Sequence, residues 1–226
     1  MTKLTWLSHA SWLIETEEHR VLLDPFFTDN PAATQTAEDF ENISHILVSH
    51  GHFDHVTDVE SIAKRCHSQI IANFEIATWY GGKGIESTQP MNIGGTIDLP
   101  FGRLKMVPAL HSSGMPDGQD GGTAVGFLLT IQDKRIYFAC DTGYFGDMAF
   151  YASESDVAIL PMGDLFTMGI DDCVEVVKLI KPKVTLPTHY GTWPPISQDI
   201  NDWAQKVDNA GSKAIVLEIG ESYEVI

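Results

Sequence analysis

Basic residues are scarce in this sequence, which argues against a large class of partners. The 226 residues contain 14 Lys and Arg against 31 Asp and Glu, a formal net charge of −17 at pH 7. A surface this acidic repels phosphate backbones. We therefore predict that the protein does not bind nucleic acid.

Long apolar runs and a secretion signal are also missing. No hydrophobic stretch is long enough to cross a bilayer, so we expect no membrane partner. The N-terminus enters strand-like sequence at once, without a basic start and an apolar core. The three cysteines, Cys66, Cys140 and Cys173, form no C-x-x-C pair. Such a pattern indicates reduced thiols, and we predict a cytoplasmic protein.

The overall composition is typical of a compact globular protein. Hydrophobic residues make up 43% of the chain and charged residues 20%. The sequence shows no repeat, no low-complexity tract and no break in composition. We therefore predict one domain, residues 1–226, and the sequence is compatible with a homo-oligomer.

Hydrophobic patterning predicts mainly strands in the first part of the chain and alternating strands and helices in the second. Strands are predicted at 4–8, 11–15, 20–23, 46–49, 69–72, 104–108, 124–132, 135–139, 157–160, 184–187, 214–217 and 222–226. Helices are predicted at 56–65, with Thr57 as N-cap, and at 74–80, 171–180 and 197–209. The glycine-rich segment 112–122 is predicted to be a flexible loop and a candidate lid.

One short stretch concentrates the side chains that bind metal ions. His50, His52, Asp54 and His55 follow the pattern H-x-H-x-D-H directly after the apolar run 46–48. Imidazole nitrogen and carboxylate oxygen are ligands of Zn²⁺ and similar ions. Gly51 is expected to allow a sharp turn there. The alternative is a surface histidine cluster that binds metal adventitiously.

Three further candidate ligands follow predicted strands later in the chain. His111, Asp141 and His189 each lie within a few residues of a strand's C-terminal end, as His50 does. Side chains at the ends of several strands can converge on one edge of a sheet. We predict that His111 completes a first metal site with His50 and His52. His189 would complete a second with Asp54 and His55, and Asp141 would bridge the two.

This ligand set predicts two divalent metal ions with a hydroxide between them. Zn suits the ligands, and so do Mn, Fe, Co and Ni. Paired ions lower the pKa of bound water and make it a nucleophile at neutral pH. Asp54 could also orient that nucleophile and take its proton.

The order His50-x-His52-x-Asp54-His55, His111, Asp141 and His189 resembles the five-motif pattern of the metallo-β-lactamase superfamily. The chain is similar to a family of uncharacterised metal-dependent hydrolases related to the L-ascorbate-6-phosphate lactonases. Stretches 8–11, 23–26, 49–55, 91–95, 111–113, 141–142, 163–169 and 189–190 carry this similarity. The resemblance implies a four-layer αββα sandwich, an α/β fold with a two-metal hydrolytic site at one edge.

Departures from other branches of that superfamily narrow the function. His52 is not Glu, which disfavours the oxygen-reducing di-iron enzymes. Asp141 is not Cys, which disfavours a secreted antibiotic-degrading lactamase. The acidity and the lack of room for an added arm disfavour a tRNA-processing nuclease.

The residues that contact substrate are harder to predict. His9 is either a structural histidine or, as the resemblance suggests, a substrate-binding or proton-donating catalytic group at the rim. Asp164 and Thr167 are either turn formers or pocket walls. Tyr190 could donate to a leaving group or pack in the core. Asp24 is expected to support the metal-binding loop.

The predicted function is hydrolysis of a small ester or lactone by the bridging hydroxide. The alternatives are a phosphodiesterase acting on a small phosphorylated substrate and a metal-dependent sensor without turnover. Phosphate recognition needs Arg or Lys near the metals, and the sequence between Arg65 and Lys134 has few of them. This favours a carbonyl substrate.

Overall fold

The N-terminal half of the chain forms a seven-stranded sheet that is completed by the last strand. The computed structural model describes residues 1–226. The strands are β1 Thr2–Trp6, β2 Trp12–Glu15, β3 Arg20–Leu23, β4 His45–Leu47, β5 Gln69–Asn73, β6 Thr88–Met91 and β14 Ser222–Val225. Their spatial order is β14-β1-β2-β3-β4-β5-β6, antiparallel from β14 to β3 and parallel from β3 to β6.

The second half forms another seven-stranded sheet with the same arrangement of directions. Its strands are β7 Thr96–Leu99, β8 Gly102–Pro108, β9 Val125–Ile131, β10 Lys134–Phe138, β11 Val157–Pro161, β12 Val184–Thr188 and β13 Lys213–Ala214. They follow the order β13-β12-β11-β10-β9-β8-β7. The pairs from β7 to β10 are antiparallel and those from β10 to β13 are parallel.

The helices are short and lie between the strands in sequence. They are α1 Phe53–Val56, α2 Val59–Cys66, α3 Phe74–Gly82, α4 Met148–Ala152, α5 Ile170–Ile180 and α6 Ile200–Asn209, with 3₁₀ turns at Ala37–Asp39 and Pro194–Ile196. No helix is both long and apolar enough to span a bilayer.

Alternation of side chains along the strands produces three layers of apolar contacts. In β9, Phe127 and Leu129 face the core between the two sheets, while Leu128 faces α5 and α6. In the first sheet, Leu47 faces the central core, while Ile46 packs towards α2 and α3. The central cluster takes residues from both sheets, so the two halves share one core. This is the predicted αββα sandwich, and the fold class is confirmed.

The helix predicted at 56–65 is interrupted in the structure. Asp58 stands between α1 and α2, and it, not Thr57, occupies the N-cap position of α2. Its carboxylate accepts hydrogen bonds from the backbone N–H groups of Phe27 and Thr28, at 2.6 and 2.9 Å. The Asp58 side chain therefore binds the backbone of the segment after β3. This tertiary contact interrupts the continuous helix that the local apolar pattern predicts.

The predicted strands differ from those in the structure at the sheet edges, and these differences have a common cause. Residues 214–217 are not a core strand, because only Lys213–Ala214 pair with β12 at the edge of the second sheet. The edge strands β6 and β7 were not predicted. Edge strands bury fewer side chains, so their sequences carry a weaker apolar signal.

The segment 112–122 is linked by hydrogen bonds within itself and to Asn73, and its predicted role as a flexible lid stays a prediction. Ser113 exchanges hydrogen bonds with Gly121 through its carbonyl and hydroxyl groups, at 2.8 and 2.9 Å. The Asn73 amide donates to the carbonyl groups of Gly121 and Thr123. A Cβ atom at Gly51 would lie 2.6 Å from the sulfur of Met115. Gly51 therefore permits close approach of this segment, rather than the sharp turn that the sequence suggested.

Candidate metal centre

Four of the seven candidate metal ligands lie just beyond the C-terminal ends of strands, at one edge of the sandwich. His50 follows β4, His111 follows β8, Asp141 follows β10 and His189 follows β12. The short helix α1 carries Asp54 and His55. A left-handed backbone at Cys140 and at His189 turns the chain sharply at two of these ends, and Asp24 has the same conformation after β3. Such conformations are costly and concentrate at functional sites.

A first group of donors consists of three imidazole nitrogens. His52 Nδ1 lies 3.0 Å from His50 Nε2 and 3.2 Å from His111 Nε2. Asp141 Oδ2 is 3.9 Å from His50 Nε2 and 3.6 Å from His111 Nε2. The predicted first site is therefore brought together, with Asp141 beside it.

A second group shares the same carboxylate. Asp141 Oδ2 lies 3.4 Å from His55 Nε2 and 3.0 Å from His189 Nε2. Asp54 Oδ2 lies 3.8 and 3.9 Å from the same two nitrogens. Asp141 thus stands between the two groups, where the sequence predicted a bridge.

Hydrogen bonds from outside the two groups determine which ring nitrogen carries the hydrogen in two of the histidines. Asp24 accepts at Oδ2 from the Ser49 hydroxyl, at 2.5 Å, and from His55 Nδ1, at 2.9 Å. Because Ser49 Oγ donates its hydrogen to Asp24, it must accept from His50 Nδ1, at 3.0 Å. In their neutral forms, His55 and His50 therefore carry the ring hydrogen on Nδ1 and present an unprotonated Nε2 atom. Asp24 supports the loop, as the sequence predicted.

His52 is oriented by the segment after His111. Its Nε2 lies 3.2 Å from Ser112 Oγ, which can accept the ring hydrogen. Nδ1 is then unprotonated, and its lone pair is directed towards the other two rings. The facing nitrogens of His50 and His52 thus meet through lone pairs, 3.0 Å apart. Lone pairs only about 3 Å apart repel unless a cation lies between them, so the first group fits a metal ion.

Electrostatics supports the same assignment. Burial lowers the pKa of His50 well below its ordinary value and keeps the ring neutral. For His55, burial acts in the opposite direction to Asp141 and Asp24, and these carboxylates raise its pKa well above the ordinary value. His55 Nε2 and Asp141 Oδ1 are buried without a hydrogen-bond partner. The second group therefore attracts positive charge and also fits a metal ion.

A cavity of about 660 Å³ opens over both groups. Its floor consists of His52, Asp54, His111, Asp141 and His189, and Ser112, Gly114 and Pro116 form one side. The remaining lining residues are Phe53, Phe166 and Trp193, which we call the aromatic wall. No Lys or Arg lines the cavity.

His9 is not at the rim of the site. It is 0% exposed and lies beneath the second group. Its Nε2 is 3.1 Å from Asp54 Oδ2, and its Nδ1 is 2.9 Å from Thr192 Oγ1. Burial and the neighbouring His189 lower its pKa to about 3. The buried position excludes direct substrate contact in this structure, and His9 instead positions Asp54.

The other three predicted substrate contacts also lie outside the cavity. The Asp164 carboxylate accepts from the Leu165 backbone N–H at 2.9 Å and closes a turn. The Thr167 hydroxyl donates to the Met168 carbonyl at 3.2 Å. Tyr190 stacks on Trp6, with ring centroids 5.2 Å apart, and burial raises its pKa to about 12. Asp164 and Thr167 therefore act as turn formers and Tyr190 packs against another aromatic side chain, which are the structural alternatives stated for these residues.

The sequence did not identify the aromatic wall. Phe53 lies inside the metal motif, Phe166 inside the turn that contains Asp164, and Trp193 four residues after His189. Phe53 and Phe166 are each 57% exposed, which is unusual for such large apolar side chains. The exposure of a side chain depends on the tertiary structure, and no residue spacing in the sequence predicts it.

Known proteins resemble the chain over most of its length. The family described as beta-lactamase superfamily domain matches residues 19–190. A UPF0173 metal-dependent hydrolase of Methanopyrus kandleri is 40% identical over 229 residues, covering 98% of this chain and 99% of the relative. One from Bacillus cytotoxicus is 40% identical over 227 residues, covering 97% and 98%.

Solved structures agree in fold. A metallo hydrolase from the hyperthermophilic archaeon Ignicoccus hospitalis superposes with a TM-score of 0.89 at 34% identity, covering 99% of this chain and 98% of the other. An isothiocyanate hydrolase from Delia radicum gut bacteria has a TM-score of 0.80 at 18% identity, covering 98% of each chain, and shares the fold. With 40% identity over nearly its whole length, the chain belongs to the UPF0173 metal-dependent hydrolases of the metallo-β-lactamase superfamily.

Proposed function

We propose that this enzyme is a dinuclear hydrolase that cleaves a small ester or lactone. The observation that carries the proposal is the division of six donors into two groups of three around Asp141 Oδ2. His50, His52 and His111 would hold one divalent ion, and Asp54, His55 and His189 the other. We propose zinc as the metal because imidazole and carboxylate suit it.

The protein's own residues prepare the site for hydrolysis. Two bound ions would supply a hydroxide at neutral pH and stabilise negative charge on the substrate oxygen. Burial acts to raise the pKa of Asp54, but the His9 hydrogen bond and the nearby His55 hold that pKa well below its usual range. Asp54 is therefore a carboxylate at neutral pH, and it borders the cavity, where it can orient water and accept its proton.

The composition of the cavity favours a carbonyl substrate over a phosphodiester. A phosphodiester carries a fixed negative charge, and proteins usually recognise it with Arg or Lys. No such side chain lines this cavity. The three free thiols support a reducing compartment, and we propose the cytoplasm.

Metal analysis and a substrate panel test the proposal together. The purified protein should contain close to two metal ions per chain and hydrolyse some members of a panel of lactones and esters. His50→Ala and Asp141→Ala should abolish turnover and reduce metal content. His67→Asn, which removes an exposed imidazole outside the site, is the matched control and should change neither.

Other outcomes identify the alternatives. Fewer than about one ion per chain would contradict the dinuclear proposal. Turnover of phosphodiesters alone would contradict the proposed carbonyl substrate and would indicate a phosphodiesterase. Full metal content and reversible binding of lactones, with no turnover of any compound, would indicate a sensor.

A further inference from the structure

The aromatic wall is supported from below, so its shape is set before any substrate arrives. Phe26 is 1% exposed and lies beneath the wall. Its ring centroid is 5.9 Å from both the Phe53 and the Trp193 rings. Trp193 also packs edge-on against His9, at 5.0 Å. Two of the three wall residues therefore rest on buried rings, and the Phe26–Phe53 and His9–Trp193 pairs have the edge-to-face geometry that aromatic pairs prefer.

The third wall residue stands on a strained turn. Asp164 and Leu165 both have left-handed backbones, with φ of 61° and 47°. For a bulky residue such as Leu this conformation is unfavourable, because Cβ approaches the following carbonyl oxygen. The turn is held by hydrogen bonds from Met168 N–H to the Thr142 carbonyl, at 2.9 Å, and from the Gln198 amide to the Gly163 carbonyl, at 3.1 Å. This strained turn places Phe166 at the cavity.

The exposed aromatic rings need an explanation in a protein this acidic. Phe53 and Phe166 are more than half exposed, yet they stand at the rim of the cavity above the metal ligands. Water against such rings is released when an apolar group covers them, which favours binding. The cavity carries carboxylates but no Lys or Arg, so an anionic substituent would find no partner along its walls.

We propose that the substrate carries an uncharged apolar substituent, alkyl or aryl, that packs against the aromatic wall while its carbonyl group faces the metal ligands. This inference rests on the proposed function and names the substrate class within it. Hydrolysis of such a lactone adds one water. Oxygen from the water joins the carbonyl carbon, the ring C–O bond breaks, and a proton goes to the released alkoxide, giving a hydroxy acid.

Non-hydrolysable ligands test the wall independently of turnover. The probes are γ-lactams with butyl, hexyl and octyl side chains, and binding to the metal-loaded enzyme is followed by calorimetry and tryptophan fluorescence. The dissociation constant should fall about twofold to fourfold for each added methylene. Phe166→Ala should weaken binding of the octyl lactam about tenfold.

Two further variants provide the controls. Leu165→Ala removes a side chain of similar exposure from the same turn, outside the cavity lining, and should leave binding unchanged. Trp193→Phe keeps an aromatic ring but removes the one of the five tryptophans that lines the cavity, so the fluorescence change on binding should be lost while calorimetric binding persists. Binding that does not depend on chain length, or an equal loss for Leu165→Ala and Phe166→Ala, would overturn the proposal. So would tighter binding of a lactam with a carboxylate tail.

The two proposals fail in distinguishable ways. If lactams bind with the expected dependence on chain length but no lactone is hydrolysed, the wall is supported and the proposed function fails. If lactones are hydrolysed at rates independent of side-chain length, and lactam affinity is equally independent of it, the function stands and the wall inference fails.

Discussion

Asp24 accepts hydrogen bonds from His55 and from Ser49, and these bonds determine which ring nitrogens of His55 and His50 carry hydrogen. Its carboxylate takes hydrogen bonds from His55 Nδ1, from the Ser49 hydroxyl and from the Ser49 backbone N–H. Through Ser49 it also acts on His50. These bonds use the acceptor positions of Asp24, so we assign it to orientation rather than to metal binding.

We predict that Asp24→Asn weakens metal binding by about 10-fold to 100-fold, the usual range for such supporting groups. The amide keeps the shape but replaces one carboxylate oxygen with a donor that cannot accept from His55 or Ser49. Competition with a metal chelator gives the affinity. Asp133→Asn, in the exposed turn between β9 and β10, is the control. Unchanged affinity in Asp24→Asn would contradict the assigned role.

His45 gives a pH dependence of stability that is separate from the metal centre. Its ring is 8% exposed and packs edge-on against Phe101, 4.9 Å between centroids. Burial, and secondarily the nearby His19, lower its pKa to about 4. In the unfolded chain the pKa is about 6.5. The unfolded state therefore binds the proton first as pH falls, and the folded protein loses stability from about pH 6.5 down to about pH 4.

We predict that His45→Gln reduces the loss of unfolding free energy between about pH 7 and about pH 5 by roughly 1 kcal/mol. Urea unfolding followed by circular dichroism at both pH values measures it. His19→Gln should give a smaller effect in the same direction, since His19 is the lesser cause of the shift. An identical pH dependence in wild type and His45→Gln would contradict the interpretation.

At the scale of elements, one side chain joins a helix start to the cavity segment. Asn73 Oδ1 caps α3 by accepting from the Ile76 N–H at 2.9 Å. Its amide donates to the carbonyl groups of Gly121 and Thr123, at 2.6 and 3.0 Å. The segment 112–122 that lines the cavity is thus tied to the first sheet through the junction of β5 and α3.

We predict that Asn73→Ala destabilises the protein by about 2 kcal/mol, because a cap is lost and buried carbonyl groups lose their donors. Asn73→Asp is the matched variant: it keeps the capping acceptor but sets a carboxylate oxygen against the carbonyl groups. Hydrogen exchange should then increase in residues 112–122 for both variants, and in α3 for Asn73→Ala only. Equal protection of 112–122 in all three proteins would show that Asn73 does not hold the segment.

At the scale of the whole molecule, each of the three apolar layers contains one cysteine. Cys66 is partly exposed against the layer of α2 and α3, Cys140 lies between the sheets, and Cys173 lies on the buried face of α5, in the layer of α5 and α6. Burial raises the pKa of Cys140 well above its ordinary value and that of Cys173 to about 12. Both thiols are therefore unreactive in the folded protein.

We predict that iodoacetamide at mildly alkaline pH modifies Cys66 alone in the native protein. Because the central core draws on both sheets, Cys140 and Cys173 should become reactive together, at a single urea midpoint. Mass spectrometry of digested samples measures each site. Separate midpoints would mean that the two halves unfold independently and would contradict the prediction of one domain.

The two halves also repeat one architecture that is invisible in the sequence. Each sheet runs from antiparallel pairs to parallel pairs across seven strands. The sequence shows no repeat, because a buried strand needs only apolar residues at alternate positions and many sequences satisfy that. The symmetry was therefore found only in the tertiary structure.

The sequence by itself predicted the fold class, most strands and the grouping of the donors. The grouping was predictable because strand ends are recognisable locally and parallel strands deliver their ends to one edge. His50, His52, Asp54, His55, His111, Asp141 and His189 meet there in the arrangement that the ligand count predicted, and metal binding by them stays a prediction.

Only the tertiary structure decided which side chains line the cavity. His9 is buried because β1 and β2 deliver it under the metal ligands, and Tyr190 is covered by Trp6. Phe53, Phe166 and Trp193 form a wall because three loops distant in sequence converge. Ligand chemistry depends on residue type and can be read along the chain. The surface of a cavity depends on which loops meet, and that depends on packing across the whole molecule.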